Sequence, residues 1–382
     1  MHIIVIIASC FFLVAVNEYS QSADAGLLGA ALVYVIQLGG LFQWAVRQSS
    51  EVENQMVSAE RVLSYCRVPQ EANLESDPEN KPPDDWPAKG NIEIRDMVLR
   101  YREDLPPVLK GLNLSILGGS RVGVVGRTGA GKSSLIAALF RLVEYDRDRG
   151  GVEIDGLDTA KVGLHDLRPR MSVVPQTPFL FSGSMRLNLD PFGKQSDVDM
   201  WAALEAVQMK EYIKALPQGL DAPVSEGGGN LSVGQRQLLC LARAVLQRSQ
   251  ILVMDEATAN IDQNTDFLIQ DVVRTSFKGK TVIMVAHRLN TVIDCDQVVV
   301  LSEGLVVEAG HPHLLLQAST AAAAAAAAAK HREGDMSAAV GEASEVAPVP
   351  PNASLSSMVD ETGPASSEHL RRLAREAWEA AK

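Results

Sequence analysis

Two short segments of the chain carry residue types that handle phosphate groups. The first, Gly126 to Ser134, is rich in glycine and ends in a lysine followed by two serines. It follows an apolar run, Val122 to Val125, and precedes a helical pattern that begins at Leu135. This order predicts a loop whose backbone N–H groups surround phosphate oxygens at the positive end of a helix. Within it, Lys132 is expected to bridge the β- and γ-phosphates and Ser133 to hold Mg²⁺.

The second segment, Ile251 to Glu256, is an apolar run that ends in two carboxylates. The apolar residues before Asp255 predict a buried parallel strand, and ligands of parallel sheets bind at the carboxyl ends of the strands. Asp255 is therefore expected to orient Mg²⁺ or its water. Glu256, on the opposite side of the strand end, is expected to accept a proton from the water that attacks the γ-phosphate. Together the two segments predict binding and hydrolysis of ATP with Mg²⁺.

A third segment, Leu231 to Gln235, lies between the first two along the chain. Ser232 is expected to cap a helix, because apolar residues recur with helical spacing from Leu238 onward. A capped helix N-terminus with Gly234 beside it can donate hydrogen bonds to a phosphate. Taken alone, this pentapeptide could equally be an ordinary helix start.

With these three segments in order, the chain resembles the nucleotide-binding domain of an ATP-binding cassette (ABC) transporter over about residues 90 to 318. The resemblance extends to Tyr101 as the aromatic residue that stacks on adenine, Gln176 of the Q-loop, the D-loop at Ala257 to Asp262, and the switch histidine His287. It implies an α/β P-loop ATPase domain with a mixed-sheet core and a helical signature subdomain. In this family the signature of one domain contacts ATP held by a second domain, so two domains close around two nucleotides.

The resemblance also implies a set of site residues. Contacts with ATP are expected from Tyr101, Gly126, Thr128, Gly129, Gly131, Lys132, Ser133 and Ser134. Contacts with Mg²⁺ are expected from Ser133, Gln176 and Asp255. Catalytic roles are expected for Glu256, His287 and Gln176. The signature residues that contact the ATP of the partner domain are Ser232, Gly234 and Gln235, and Asp262 belongs to the D-loop.

Other segments resemble the multidrug-resistance-associated, or C, sub-family. They are residues 99–104, 125–134, 163–168 and 188–192. In that sub-family the second domain keeps a glutamate at the position of Glu256 and replaces the middle glycine of the signature, which is Val233 here. The chain is therefore interpreted as the C-terminal part of a full exporter of organic anions, conjugates or drugs. Its expected partners are a second nucleotide-binding domain, the remaining transmembrane helices, membrane lipid and a small-molecule substrate.

The valine at position 233 is expected to affect turnover. Valine is larger than glycine and adopts positive φ only at a cost. The composite site that this signature completes is therefore expected to be the slow one. The site that contains Lys132, Glu256 and His287, completed by the signature of the partner, is expected to hydrolyse ATP.

The amino-terminal part of the chain is apolar. Leu27 to Val46 provides twenty mostly apolar residues, enough to cross a bilayer core of about 30 Å. Met1 to Val16 is a second, slightly short run, and arginines such as Arg47 follow the longer one. Because positive residues favour the cytoplasmic side, the runs predict a transmembrane hairpin with the ATPase domain in the cytoplasm. A cleaved secretory signal is the alternative, although a basic n-region is missing.

These features predict an integral, multi-pass protein of the plasma or vacuolar membrane. The expected segments are two transmembrane helices at 1–46, a helix extension and linker at 47–90, the nucleotide-binding domain at 91–318, and a mostly disordered tail at 319–382. The tail contains nine alanines at 321–329 and then few large apolar residues, too few for a core of its own. Its final helical stripe, from Leu370 onward, is expected to fray or to bind a partner.

Net charge and cysteine spacing argue against nucleic-acid binding and against a cysteine metal site. The net charge of −12 argues against nucleic acid as a partner, because such binding depends on neutralising phosphates. The cysteines at positions 10, 66, 240 and 295 lack metal-ligand spacing, so reduced packing residues are expected. Chromosome-maintenance ATPases share the three motifs but separate them by a long coiled coil, and soluble translation factors of this type carry two cassettes and no membrane span.

Overall fold

The computed structural model describes residues 2–19, 25–255, 261–286, 289–318 and 354–381. Its residues fall into two compact units, Met1–Glu71 and Ala72–Lys382. The first unit contains helices α1, His2–Tyr19, and α2, Ala25–Cys66, which contact each other.

Helix α2 has the length and composition of a membrane-spanning helix. The stretch Gly29–Cys66 is the one helical segment among the described residues that is long and apolar enough to cross a membrane. Helix α1 contains a shorter apolar stretch, Ile7–Val16. The second span of the expected hairpin therefore stays a prediction.

The centre of the second unit is a six-stranded sheet with strand order β12-β11-β3-β10-β9-β6. Its strands are β3, Arg121–Val125; β6, Met171–Val174; β9, Ile251–Asp255; β10, Thr281–Val285; β11, Gln297–Ser302; and β12, Leu305–Gly310. All neighbours pair in parallel except β12, which is antiparallel to β11. Strand β10 is buried along its whole length, as expected for a parallel strand covered on both faces.

A second sheet is antiparallel, with strand order β2-β1-β4-β5. Its strands are β1, Ile92–Leu99; β2, Leu109–Ile116; β4, Gly151–Ile154; and β5, Leu157–Asp158. A hydrophobic core joins this sheet, helix α3 (Lys132–Leu139) and one face of the six-stranded sheet. The two remaining strands, β7 (Gly183–Ser184) and β8 (Pro223–Val224), pair in an antiparallel ribbon.

The short helix α4, Leu164–Leu167, places Leu167 in this first core. The remaining helices contribute to a second core, which includes the other face of the six-stranded sheet. They are α5, Met185–Leu189; α6, Asp197–Ala206; α7, Lys210–Lys214; α8, Val233–Gln247; α9, Gln263–Ser276; α10, Leu289–Val292; and the described part of α11, 312–318. A mixed sheet with a helical part between β6 and β9 is the fold class that the sequence predicts.

The end of the chain differs from the expectation of a mostly disordered tail. Residues 354–381 form two helices, α12 (Leu355–Asp360) and α13 (Pro364–Ala381). Leu355, Val359 and Leu370 are each no more than 3% exposed and belong to the second core. The expectation is wrong for this segment because its apolar stripe is completed by the cassette surface, which composition alone does not reveal. Residues 319–353, with the alanine run, lie outside the described residues.

The linker ends in fixed contacts with the cassette. Trp86 is 5% exposed, and its indole N–H donates to the carbonyl oxygen of Ile154 at 2.9 Å. The Asp155 carboxylate accepts the N–H groups of Lys89, Gly90 and Asn91 at 2.8 to 3.0 Å. Although partial burial opposes the charged form, these backbone hydrogen bonds hold the pKa of Asp155 below its ordinary value. The linker is therefore anchored at its C-terminal end.

All the cysteines are free, as the sequence predicts. Cys240 and Cys295 are buried, whereas Cys66 is exposed. Burial raises the pKa of the Cys295 thiol to about 12 and also raises the pKa of Cys240. Neither buried thiol is therefore available as a thiolate at neutral pH.

The packing of α12 can be measured by substitution. We expect Leu355→Ala to lower the free energy of unfolding by about 2–5 kcal/mol, because it opens a cavity in the core. Leu117→Ala is the matched control, since the Leu117 side chain is 71% exposed, and its effect should stay within about 0.5 kcal/mol. Urea unfolding of the full chain in detergent measures both changes. Equal, small effects would contradict the packing of α12.

Candidate functional site

Strand register brings the predicted site residues to one edge of the six-stranded sheet. Val285 at the end of β10 lies opposite both Val124 of β3 and Asp255 of β9. On the far side of β9, Val174 at the end of β6 lies opposite Met254. The carboxyl ends of four neighbouring strands therefore finish in step. With about 4.8 Å between neighbouring strands, the phosphate loop after β3 lies roughly 10 Å from the end of β9.

The phosphate loop follows β3 directly and ends where α3 begins, at Lys132. Gly129 at its tip has a φ of 84°, and a Cβ added there would meet no atom within 4 Å. The tip therefore needs glycine for its backbone conformation and faces open space. Thr128 is exposed on the loop, and Ser133 is exposed in the first turn of α3.

Lys132 is held inside the loop. Its side chain is buried, and Nζ donates to the carbonyl oxygen of Gly126 at 2.7 Å and to that of Arg127 at 3.4 Å. To bind phosphate, the ammonium group must exchange these carbonyl oxygens for phosphate oxygens. An ammonium group, backbone N–H groups and the Ser133 hydroxyl form a donor set that suits a polyphosphate carrying Mg²⁺.

Tyr101, two residues after β1, contacts the first turn of α3. Its hydroxyl is 3.0 Å from Oγ of Ser134, which is buried in the first turn of that helix. The tyrosine residue is 50% exposed, so its ring has a face on which a planar group can stack. The hydrogen bond fixes this ring beside the phosphate loop.

The acidic and switch residues are only partly described. Asp255 is half-buried at the carboxyl end of β9, and Gln176 is exposed two residues after β6. Glu256 and His287 lie outside the described residues, and their roles stay predictions. Ala286, the residue before His287, is held in place because its N–H donates to the Val124 carbonyl oxygen at 3.2 Å.

The signature begins α8 with the predicted cap. Ser232 Oγ accepts from the Gln235 N–H at 3.1 Å, and Gln235 Oε1 accepts from the Ser232 N–H at 2.9 Å. This reciprocal pair is a capping box. Leu238, Leu239 and Leu241 are buried beneath it, as the periodic apolar pattern predicts.

Val233 is the first residue of α8 and has helical backbone angles rather than a positive φ. Backbone strain therefore gives no reason for slow turnover at this position. What the valine adds is side-chain volume on the surface, where the residue is 42% exposed.

The signature and the D-loop meet at Thr265 of α9. A Cβ added to Gly234 would lie 3.0 Å from Cγ2 of Thr265, so the two helices approach closely here. Asp262 caps α9 by accepting from the Thr265 N–H at 3.0 Å and from its hydroxyl at 2.8 Å. The Thr265 N–H holds the pKa of the Asp262 carboxyl below its ordinary value. Among the residues described, the side-chain hydrogen bonds of Ser232 and Gln235 join these two residues to each other.

Sequence reasoning missed the side chains by which α8 holds the segments on both sides of β6, including the one that contains Gln176. Gln237, 1% exposed, donates to the Pro175 carbonyl oxygen at 3.1 Å. Arg243 donates to the Phe179 carbonyl oxygen at 2.7 Å, and Gln247 to that of Pro169 at 2.8 Å. One signal was present in the sequence. Gln237 lies directly before the apolar run Leu238 to Ala242 of the predicted helix, and a polar group buried among apolar residues requires a partner.

Known proteins share these features. Residues 109–259 match the family model described as ABC transporter. The chain is 51% identical over 298 residues to "ATP-binding cassette sub-family C member 4" of Mus musculus and of Homo sapiens. It is 48% identical over 298 residues to sub-family C member 2 of Rattus norvegicus. Each alignment covers 78% of this chain but only 19% to 22% of the relative, so the chain spans about a fifth of their length.

A solved structure is also similar. "Structure of a bacterial Atm1-family ABC exporter with ATP bound" matches with a TM-score of 0.61 and 29% identity. The match covers 77% of this chain and 51% of that one. The shared fold therefore extends beyond the residues of the family model.

The capping box predicts a measurable change in local stability. We expect Ser232→Ala to destabilise the first turn of α8 by about 0.5–2 kcal/mol, because the Gln235 N–H loses its acceptor. A loss of about 1 kcal/mol would speed hydrogen exchange of that N–H about fivefold. Ser232→Thr is the control, since it keeps the hydroxyl. Unchanged exchange in Ser232→Ala would contradict the cap.

Proposed function

Because the chain carries an ABC transporter domain, we propose that it is the C-terminal part of an ATP-driven exporter of the multidrug-resistance-associated type. The proposed segments are transmembrane helices within 1–46, a helix extension and linker at 47–90, and the nucleotide-binding domain at 91–318. One observation carries most of the argument. The phosphate loop, Asp255 and the segment with Gln176 follow the carboxyl ends of strands that pair in register.

Binding of ATP is proposed to begin at the phosphate loop. The ammonium group of Lys132 leaves the carbonyl oxygens of Gly126 and Arg127 and donates to the β- and γ-phosphates. Backbone N–H groups of the loop surround the phosphate oxygens. Tyr101, which is half-exposed, stacks on adenine. These contacts orient the γ-phosphate toward the end of β9.

Hydrolysis is proposed to use the residues at the ends of β6, β9 and β10. The oxygens of Ser133, Asp255 and Gln176 would hold Mg²⁺, which neutralises charge on the phosphates when bound. Glu256 accepts the proton of the attacking water. His287 donates to the γ-phosphate and distinguishes ATP from ADP.

A second nucleotide-binding domain is the proposed partner, and the two domains together form two composite ATP sites. The signature residues Ser232, Gly234 and Gln235 contact ATP held by that domain, and the signature of the partner completes the site around Lys132. The exposed side chain of Val233 adds volume where this signature contacts the ATP of the second domain. We therefore assign slow turnover to the composite site that Val233 enters, on steric grounds.

Coupling to the membrane part is proposed to run through α8. This helix donates to the carbonyl oxygens of Pro175 and Phe179, on either side of Gln176. Gln176 then moves with the signature helix while its amide contacts Mg²⁺. The similar solved structure is an ABC exporter. We propose that the chain belongs to a multi-pass protein of the plasma or vacuolar membrane that exports organic anions, conjugates or drugs.

The ATP site is tested by Lys132→Ala. Loss of a charged hydrogen-bond donor should weaken MgATP binding to the full chain about 10- to 100-fold, because such bonds contribute about 1.5–3 kcal/mol. Lys161→Ala is the control, since it removes an exposed lysine without touching the loop. Equilibrium binding of radiolabelled ATP measures both. Equal affinity in the two variants would contradict the site.

The catalytic base is tested in the assembled transporter. We expect Glu256→Gln to keep ATP affinity but to slow hydrolysis about 10²- to 10⁴-fold, because the amide cannot accept the proton of the water. Glu211→Gln is the control, since the Glu211 side chain is 85% exposed on α7. Steady-state phosphate release provides the measurement. Normal turnover in Glu256→Gln would refute the assignment.

A further inference from the structure

Arg127 of the phosphate loop contacts the C-terminal helices. Its Nη2 donates to Oε1 of Glu361 at 2.6 Å. Glu361 is the C-cap residue of α12, in the part of the chain expected from sequence to be mostly disordered. This ion pair joins the nucleotide-binding loop to a segment that the proposed reaction does not use.

Buried anchors on both sides of Glu361 hold it in place. Val359 is fully buried two residues before it, and Leu370 is 3% exposed after it. Farther along α13, the Trp378 ring lies 4.5 Å from the His311 ring between centroids. Arg371 donates to Asp360 Oδ1 at 3.0 Å and so ties α13 back to α12. The backbone position of Glu361 is therefore set by the packing of the whole helical pair, which places its carboxylate within reach of Arg127.

The helical pair lies beside the ends of two strands of the site. A cavity of about 590 Å³ is lined on one side by Arg127 and Ala286, which follow β3 and β10. On the other side it is lined by Glu361, His369 and residues near them in α12 and α13. The pair is thus adjacent to the phosphate loop and to the segment that leads to His287.

Arg127 also contacts Lys132, the residue proposed to bind phosphate. The side chain of Arg127 binds Glu361, and the backbone carbonyl oxygen of the same residue accepts from Lys132 Nζ at 3.4 Å. Lys132 must leave this oxygen to reach the phosphates of ATP. One residue therefore connects the docked helices with a loop arrangement in which the lysine faces carbonyl oxygens.

We propose that α12 and α13 form an autoinhibitory clamp that disfavours ATP binding while they are docked. The Glu361 carboxylate neutralises the Arg127 guanidinium beside the phosphate site and holds the loop in the arrangement that retains Lys132. The phosphates of ATP compete for the same positive charge. This inference rests on the proposed ATP site and adds a regulatory element to it.

Thermodynamic linkage predicts two measurable effects of the clamp, one on ATP affinity and one on the docking of α12 and α13. If docking weakens ATP binding by some factor, ATP must weaken docking by the same factor. Both partners of the ion pair are more than half exposed, so we expect a factor of about two to five. Salt screens such a pair, and the effect should shrink toward none at about 1 M salt.

The test compares Glu361→Gln with Glu376→Gln in the full chain in lipid nanodiscs. Glu376 lies on α13 and forms an exposed pair with Arg372 at 3.7 Å, so its substitution removes the same charge from the same helical pair without touching the loop. We expect Glu361→Gln to bind MgATP about two- to fivefold more tightly than wild type, and Glu376→Gln to match wild type. Hydrogen exchange across 355–381 in wild type should rise on adding MgATP by a similar factor, and this rise should be smaller in Glu361→Gln.

The outcomes separate this inference from the proposed function. If wild type binds no MgATP, the proposed ATP site itself is wrong. If wild type binds MgATP but Glu361→Gln binds with the same or lower affinity, the clamp is refuted. An exchange rate across 355–381 that does not respond to MgATP refutes it equally, since linkage requires both effects.

Discussion

The parallel, in-step pairing of β3, β10, β9 and β6 is the constraint on which the candidate site depends. Each of these strands is short and mostly apolar, so each is stable only inside the sheet that its neighbours form. Because their carboxyl ends finish together, segments far apart in sequence emerge at one edge. A shift of one residue in β9 would turn Asp255 toward the other face of the sheet. The chemistry is thus set by strand register before any side chain contacts a ligand.

Helix α8 connects this edge of the sheet to other parts of the nucleotide-binding domain. Its first turn presents the signature, and its apolar face packs in the second core. Buried Gln237 and half-buried Arg243 donate to carbonyl groups of the segment that follows β6, and exposed Gln247 donates to the carbonyl oxygen of Pro169, before β6. Main-chain carbonyl groups are acceptors that do not depend on the identity of the side chain they belong to. The segment around Gln176 can therefore vary in sequence while α8 still holds its path.

The sequence predicts well what depends on local patterns, and less well what depends on distant partners. The phosphate loop, the strand before Asp255 and the cap at Ser232 each follow from a few adjacent residues, and the structure has the elements in place. The strain expected at Val233 does not arise, because the residue starts a helix. The packing of Leu355 and Leu370, and the partner of Gln237, required knowledge of surfaces distant along the chain. Local composition holds no record of such contacts.

Helix α2 has a mechanical consequence that its composition alone would not indicate. It continues unbroken for 42 residues, which corresponds to a rod about 63 Å long. Residues 47–66 extend beyond the most apolar part and, except for Gln48, are exposed. A tilt of about 10° in the apolar half would swing the far end of this extension, about 30 Å away, through roughly 5 Å. A rigid extension of this length would enlarge a small rotation into a displacement comparable with the spacing between two strands.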